Sequence, residues 1–293
     1  MPEWALWIQY VLNGVVSGST YALLGLGLTL VFGILWIISF VHGEFFMLGG
    51  FLAFYLLSKF ADVPFLLSIP IAMVGVGLLG ALLGKLTINP IRDRHWEFPM
   101  LSTFGLSFIL LSAALMLFGG DYRTIPTPYN ETVFRFSHFF LSAQKSIVIL
   151  VTILLFLALR WILIKTSFGR NLRATAQDRI GAAAVGISSS FIYTWTFGLA
   201  CAIAAAGGVL VGAVFNIDPY MGQTGLLKGW VVIILGGMGN VTGAVIGGMT
   251  IGIVEALGTG LLGSGWSEAI AFGVMITILL LKPQGLLGVK RGM

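Results

Sequence analysis

The sequence predicts an all-α, polytopic integral membrane protein with roughly 8–10 transmembrane helices, some broken or re-entrant. Three observations predict it. Hydrophobic residues make up 58% of the chain, charged residues only 9%, and the mean hydropathy is +1.01; a water-soluble domain carries about a quarter of its residues charged. Apolar runs of about 20 residues, the length a helix needs to cross a bilayer, recur along the chain. Of the 16 Lys and Arg, 11 fall in three clusters that abut those runs: Lys85 to Arg94, Arg160 to Arg179 and Lys282 to Arg291.

Six spans read directly from the sequence, near 8–28, 64–85, 99–118, 144–164, 190–214 and 266–282. The segment Met1-Pro2-Glu3-Trp4 lacks the basic n-region of a cleaved signal peptide, so the first apolar run is expected to stay as a span. Two intervals are less regular. Ser39, His42, Gly43 and Glu44 interrupt the run from Leu28 to Tyr55, and glycines stud Leu226 to Leu262, so each is expected to hold two short or broken segments.

Basic clusters mark the cytoplasmic side of a membrane protein. The net charge of +5 is therefore a topology signal rather than a nucleic-acid surface. A cytoplasmic C-terminus needs an even number of crossings between Arg179 and Lys282, so 226–262 must add two crossings or a re-entrant hairpin. The polar interval 119–143 then falls on the far side. It carries the balanced charges Asp121, Arg123, Glu131 and Arg135 and the helix-stopping Pro126 and Pro128, which suits a folded lid or docking loop.

Glycine, 40 of 293 residues, is twice as common as usual. Small-xxx-small pairs at Gly14 and Gly18, Gly80 and Gly84, Gly208 and Gly212, and the series Gly239, Gly243 and Gly247 let helices approach closely in lipid. The alternative is that some leave room for a translocated molecule. His42-Gly43-Glu44 before Gly49-Gly50 is echoed by Lys228-Gly229-Trp230 before Gly236-Gly237, the kind of paired interruption that marks transporter repeats.

The stretch from Lys165 to Ile187 is the main polar island, with four basic residues and one acid. Leu172, Ala176, Ile180 and Ala183 recur at helical spacing, with Arg170, Arg173 and Gln177 opposite. That pattern predicts an amphipathic surface helix over about 166–187.

No enzyme chemistry emerges. Gly75-Val76-Gly77-Leu78-Leu79-Gly80 matches a dinucleotide pattern but lies in mid-span without a preceding strand. Gly84-Lys85 lacks the other P-loop residues, since Leu79 and Leu86 stand where Gly and Ser or Thr belong. His42, His95 and His138 are scattered, which argues against a metal site, and Cys201 is the single cysteine. The informative ionisable groups are Glu44 and Glu255 near apolar spans, with Lys228 at the edge, because intramembrane charges are costly and default to function. Bland alternatives are a helix-dipole charge for Glu44 and a structural hydrogen bond for Glu255. Asn13, Ser17 and Thr20 share one face of the first span, as path lining or as packing glue.

The chain resembles the permease subunits of branched-chain amino acid ABC importers, a family that includes urea and short-amide permeases. The resemblance rests on Asn13-Gly14 with Gly18 and Tyr21-Ala22-Leu23, on Gly25 through Leu30, and on Ile38 through Gly49. It continues through Phe118-Gly119-Gly120 to Ile125-Pro126 and the glycine-rich Gly236 through Gly248, and so spans essentially the whole chain. Asn89 before Pro90-Ile91-Arg92 departs from it, since relatives often carry a basic residue there. The resemblance implies a single permease domain over 1–293 in a bacterial inner membrane, with 119–143 periplasmic. Gly169 through Gly186 would be the segment that docks on an ATPase, with Gly169, Arg170, Arg173, Asp178 and Gly186 as coupling residues. It also implies a second homologous permease, two ATPase subunits that bind ATP and Mg in place of any cofactor here, and a periplasmic binding protein. The path would run near Asn13, Ser17, Thr20, Glu44, Gly236, Gly237, Gly239, Asn240 and Glu255. A stand-alone channel or secondary carrier is the alternative from another class.

Overall fold

The computed structural model describes residues 3–60, 62–92, 94–136 and 139–288. Its helices are α1 (Glu3–Leu30), α2 (His42–Lys59), α3 (Phe65–Leu83), α4 (Glu97–Phe118), α5 (Ala143–Lys165), α6 (Ser167–Gln177), α7 (Arg179–Ala184), α8 (Ser189–Gly212), α9 (Met221–Gly236), α10 (Val241–Leu262) and α11 (Ser267–Leu281). A short antiparallel hairpin, β1 (Val133–Phe136) and β2 (Phe139–Ser142), precedes α5. Among the described residues, seven helices are long and apolar enough to cross a membrane: α1, α3, α4, α5, α8, α10 and α11. These include all six spans read from the sequence.

Of the two irregular intervals, the first differs from the expectation and the second takes one of its two stated alternatives. Only its second half is a separate helix between Leu28 and Tyr55: α1 runs on through a π-helical turn, Val31–Leu35, and stops where Trp36 adopts a left-handed φ of 57°. Six residues later α2 starts, deep in the bundle, with His42 and Glu44 both buried. The interval 226–262 contributes two antiparallel helices, the end of α9 and α10, rather than a re-entrant hairpin.

Two ends can be told apart by what gathers there. At the hairpin end, Gln9 of α1 accepts from the Phe140 amide, and Arg123 pairs its backbone with Ile217 after α8. At the basic end, Asn89 donates to Thr194 at 2.7 Å, and the Leu286 and Leu287 amides donate to Leu235 and Gly236 at the end of α9. A six-residue and an eight-residue non-helical lead, 36–41 and 213–220, carry the chain to the starts of α2 and α9. With those two, the described residues make nine passes between the ends, within the predicted range.

Close glycine contacts show that the two halves are an inverted repeat. Antiparallel α3 and α8 touch where Gly80 meets Cys201 and Gly84 meets Phe197. Antiparallel α10 and α1 touch where Gly248 meets Ala22 and Gly252 meets Gly18. Gly18 to Phe197, Ala22 to Cys201 and Gly43 to Gly222 are all displaced by the same number of positions, so α1, α2 and α3 correspond to α8, α9 and α10. Gly43 and Gly222 face each other's carbonyl groups reciprocally, as residues on a pseudo-two-fold axis must. The register differs from the one the sequence suggests: His42-Gly43 matches Met221-Gly222, not Lys228-Gly229.

The core lies among α1, α2, α8 and α9, with Phe45, Phe51, Phe197 and the leucines of α1 fully buried. By contrast α4, α5 and α11 present outward apolar faces such as Met116, Leu154 and Leu280, suited to lipid contact. The interval 119–142 is a strap rather than a free loop. Arg123 donates to Tyr55 Oη at 2.9 Å and to the Phe118 carbonyl at 2.6 Å, and its guanidinium lies over the Phe54 and Tyr55 rings. The side chain of Arg135, together with Ser137, His138, Lys290 and Arg291, lies outside the described residues.

The polar island also departs from one continuous helix. Asp178 leaves helical geometry and its side chain caps α7, accepting from the Ile180 and Gly181 amides at 3.0 Å each. This breaks the wheel: Leu172 is fully buried, whereas Ile180, expected on the same inward face, is 85% exposed.

Candidate functional site

Two adjoining cavities open between the repeats. The first, about 580 Å³, lies toward the hairpin end and is lined by Asn13 and Ser17 of α1, Lys145 of α5, Phe215, and Glu255 and Thr259 of α10. The second, about 270 Å³, lies deeper and is lined by Thr20, Tyr21 and Leu24 of α1, Phe46 of α2, Asp218, and Thr224 and Lys228 of α9. Ser17 and Phe215 border both, so the two meet at those side chains.

A buried charge cluster sits at their junction. Lys228 Nζ donates to Glu255 Oε1 at 2.9 Å and to Ser267 Oγ at 3.1 Å, and lies 5.8 Å from the centre of the Tyr21 ring. The Tyr21 hydroxyl donates to Glu255 Oε1 at 3.4 Å, and Ser267 donates to the same oxygen. Lys228 is 5% exposed, and Glu255 Oε2 is buried without a partner. Four helices converge on this point because Gly225 and Gly229 let Leu24, Leu28 and Phe46 approach α9. Nearer the hairpin end, Lys145 Nζ donates to Asn13 Oδ1 at 2.8 Å.

The sequence-predicted residues therefore separate into three places. Asn13, Ser17, Thr20 and Glu255 gather at the two cavities, although the Thr20 hydroxyl donates back to the Ser17 carbonyl at 2.7 Å. Glu44 stands apart, at the start of α2, where Oε1 accepts from Ser107 of α4 at 2.9 Å and Oε2 is buried without a partner. Its neighbour His42 places Nδ1 2.8 Å from Ser39 Oγ and its ring against Phe197.

Gly236, Gly237, Gly239 and Asn240 lie at the basic end. There Gly236 packs on the Gly243 backbone, and Gly237 and Gly239 hold left-handed φ values of 100° and 86°. Asn240 caps α10, accepting from the Gly243 amide at 3.0 Å and donating to the Leu287 carbonyl at 2.9 Å. A cavity of about 490 Å³ joins Gly239 and Asn240 to Gly33, Arg160, Arg173 and Gln177.

Of the coupling residues named from the sequence, Gly169, Arg170 and Arg173 lie at the α5–α6 turn, Asp178 makes the elbow between α6 and α7, and Gly186 follows α7. Gly169 sits against the Ile162 and Leu163 carbonyls, leaving no room for a side chain, and its amide donates to the capping Thr166. Arg173 donates to the Leu163 carbonyl, and Arg170 to Ser167 Oγ at 2.8 Å. Gly186 ends the turn with a φ of 85°. Sequence reasoning missed the outward apolar pair Ile180 and Val185, the latter 78% exposed. It also missed Asp218, which lines the same cavity as Lys228, whereas Tyr21 belongs to the polar set of the first span that the sequence offers as a lining.

Inverted repeats, two helices that start and meet inside the bundle, and a polar cavity ending on buried charges define a membrane permease domain. The chain belongs to the family described as the branched-chain amino acid transport system permease component, which matches residues 10–279. It is 32% identical to the high-affinity branched-chain amino acid transport system permease protein BraD of Pseudomonas aeruginosa, over 98% of both chains. It is 31% identical to the corresponding protein LivH of Escherichia coli, over 98% of this chain and 97% of that one. The autoinducer 2 import system permease protein LsrC of Salmonella paratyphi B is a partial match, 29% identical over 44% of this chain. No solved structure matches.

Proposed function

We propose that the chain is the membrane-spanning permease subunit of an ABC importer for branched-chain amino acids in a bacterial inner membrane, with the basic end and the C-terminus cytoplasmic. Near-complete alignment with BraD and LivH carries the reading. A binding protein on the hairpin side delivers the substrate. Two ATPase subunits, which hold ATP and Mg, drive transport, and a second, homologous permease completes the path. The elbow of α6 and α7 is the docking segment for an ATPase. Ile180 and Val185 support this, because an outward apolar pair flanked by Arg170 and Arg179 suits a partner groove better than lipid headgroups.

Reconstitution in liposomes with the partner subunits and binding protein tests the reading. Leucine uptake should require ATP and all components. ATP-independent leucine flux through this chain alone would make it a channel or carrier, and ATP-driven uptake of urea but not leucine would move it to the short-amide branch.

A further inference from the structure

We propose that the deeper cavity is a recognition chamber for the zwitterion of a free α-amino acid, with Lys228 facing the carboxylate, Asp218 the ammonium group, and Leu24, Phe46 and Met221 the aliphatic side chain. The proposal deepens the importer reading and rests on it for the substrate class.

The chamber holds one cation and one anion on a largely apolar wall. At about 270 Å³ it lies at the small end of ligand sites, which run to roughly 300–1,000 Å³, so it suits a single small solute. Lys228 has three ammonium protons, of which Glu255 and Ser267 take two. Asp218 uses Oδ1 to accept from the Tyr220 amide at 2.8 Å, and Oδ2 has no protein partner among the described residues. Each charge thus keeps one free valence, and each is already neutralised or anchored so that it need not move on binding. Charge-assisted hydrogen bonds of that kind are the strong ones. A neutral amide such as urea brings no charge to either free valence and would leave the apolar wall uncovered.

Glu255 has a positioning role: its Oε1 accepts from the Lys228 ammonium at 2.9 Å and so fixes where that cation stands. The first cavity, with Lys145 and Asn13 at its mouth, is the approach from the hairpin end, and Ser17 and Phe215 form the neck.

Cysteine protection tests the chamber without depending on the binding protein's own selectivity. Thr224→Cys adds a thiol to the chamber wall, and the native cysteine, Cys201, is buried. In vesicles carrying the whole importer, leucine at about ten times a millimolar Kd should slow thiosulfonate labelling about tenfold. Leucinol, which lacks the carboxylate, and 4-methylpentanoate, which lacks the ammonium group, should leave the rate unchanged. Adding Asp218→Asn, or Lys228→Met together with Glu255→Gln so that no carboxylate is stranded, should abolish leucine protection while the ligand-free rate stays as it was, which also shows the chamber intact. The analogue series needs no charge substitution and so decides the matter if either variant misassembles. Equal protection by all three compounds, or by none, overturns the proposal. ATP-driven leucine uptake measured in the same vesicles reports separately on the importer reading.

Discussion

The inverted repeat makes Gly80 a packing residue whose partner can be named, and a double-mutant cycle tests it. A Cβ at position 80 would lie 2.6 Å from both Cys201 Cβ and Cys201 Sγ, while the next atom, Gly198 Cα, is at an ordinary 3.8 Å. Gly80→Ala therefore forces α3 and α8 apart, and overpacking of that kind costs about 1–3 kcal/mol. The better helix propensity of alanine returns only about 1 kcal/mol. Cys201→Gly removes both obstructing atoms but puts glycine inside α8, at about 1 kcal/mol, and leaves a small void.

In the double variant the two propensity changes cancel, and the new methyl group fills the void. The expected coupling is about 1–3 kcal/mol in favour of the pair, within the range for residues in direct contact. Thermal unfolding of detergent-purified protein, followed by tryptophan fluorescence, should show Gly80→Ala several degrees below the parent and the double variant close to it. If the two single effects simply add, or if Gly80→Ala alone leaves Tm unchanged, the α3–α8 contact is not the constraint and the repeat-matched packing argument fails.

Other perturbations have equally definite outcomes. Lys228→Met strands Glu255, and breaking a buried pair costs about 3–5 kcal/mol when fully enclosed; Lys228→Met with Glu255→Gln should recover most of the lost Tm, and a double variant no better than the single would show that the pair is not coupled. Asp178→Ala removes the cap of α7, worth about 1 kcal/mol, and should speed amide exchange at Ile180 and Gly181 without changing exchange in α6. Ile180→Asp leaves the fold untouched because the side chain is outward, yet should abolish binding-protein-stimulated ATP hydrolysis; unchanged stimulation would move the docking surface elsewhere. Arg123→Gln frees the strap from Tyr55 and the Phe118 carbonyl, and should raise protease cleavage within 119–142 several-fold.

The membrane spans were legible because a bilayer imposes one length on every crossing, so a run such as 144–164 announces α5 by itself. Asn13, Ser17 and Thr20 were legible as a set because a single helix fixes their common face. What failed to show was anything set by contact between distant segments. Lys228 and Glu255 lie on different helices joined by a turn, and no period links them; Glu44 and Ser107 are further apart still. The break at Asp178 was readable in principle, since Asp before a short apolar run is a capping signal, but the amphipathic wheel hid it. The repeat was placed in the wrong register because inverted halves share packing geometry rather than residue identity: Gly43 and Gly222 correspond, yet Glu44 is matched by Gln223 and Phe46 by Gly225.

The coupling proposed for the elbow of α6 and α7 would run along that geometry. α1 and α9 run in the same direction: Tyr21 shares the deeper cavity with Thr224 and Lys228, and further along both chains Gly33 meets Gly239. Each borders the deeper cavity along one stretch and reaches the basic end, where Gly33 and Gly239 touch. The distance along α9 from Lys228 to Gly236 is about 12 Å, short enough for the helix to move as one rigid piece. At its foot α9 is held by the Leu286 and Leu287 amides and by Gly243, and the cavity there also contains Arg173 of α6. A displacement of the elbow of α6 and α7 toward the bundle would therefore press on the Gly33–Gly239 contact and be delivered to Lys228 without repacking the apolar core. The reciprocal contact of Gly43 with Gly222 offers the pivot, because two glycine backbones can roll on each other where larger side chains would interlock. Substituting Gly222→Val, whose Cβ would lie 2.6 Å from the Gly43 carbonyl, should then stop ATP-driven uptake; uptake at the parent rate would mean that this contact is not the pivot.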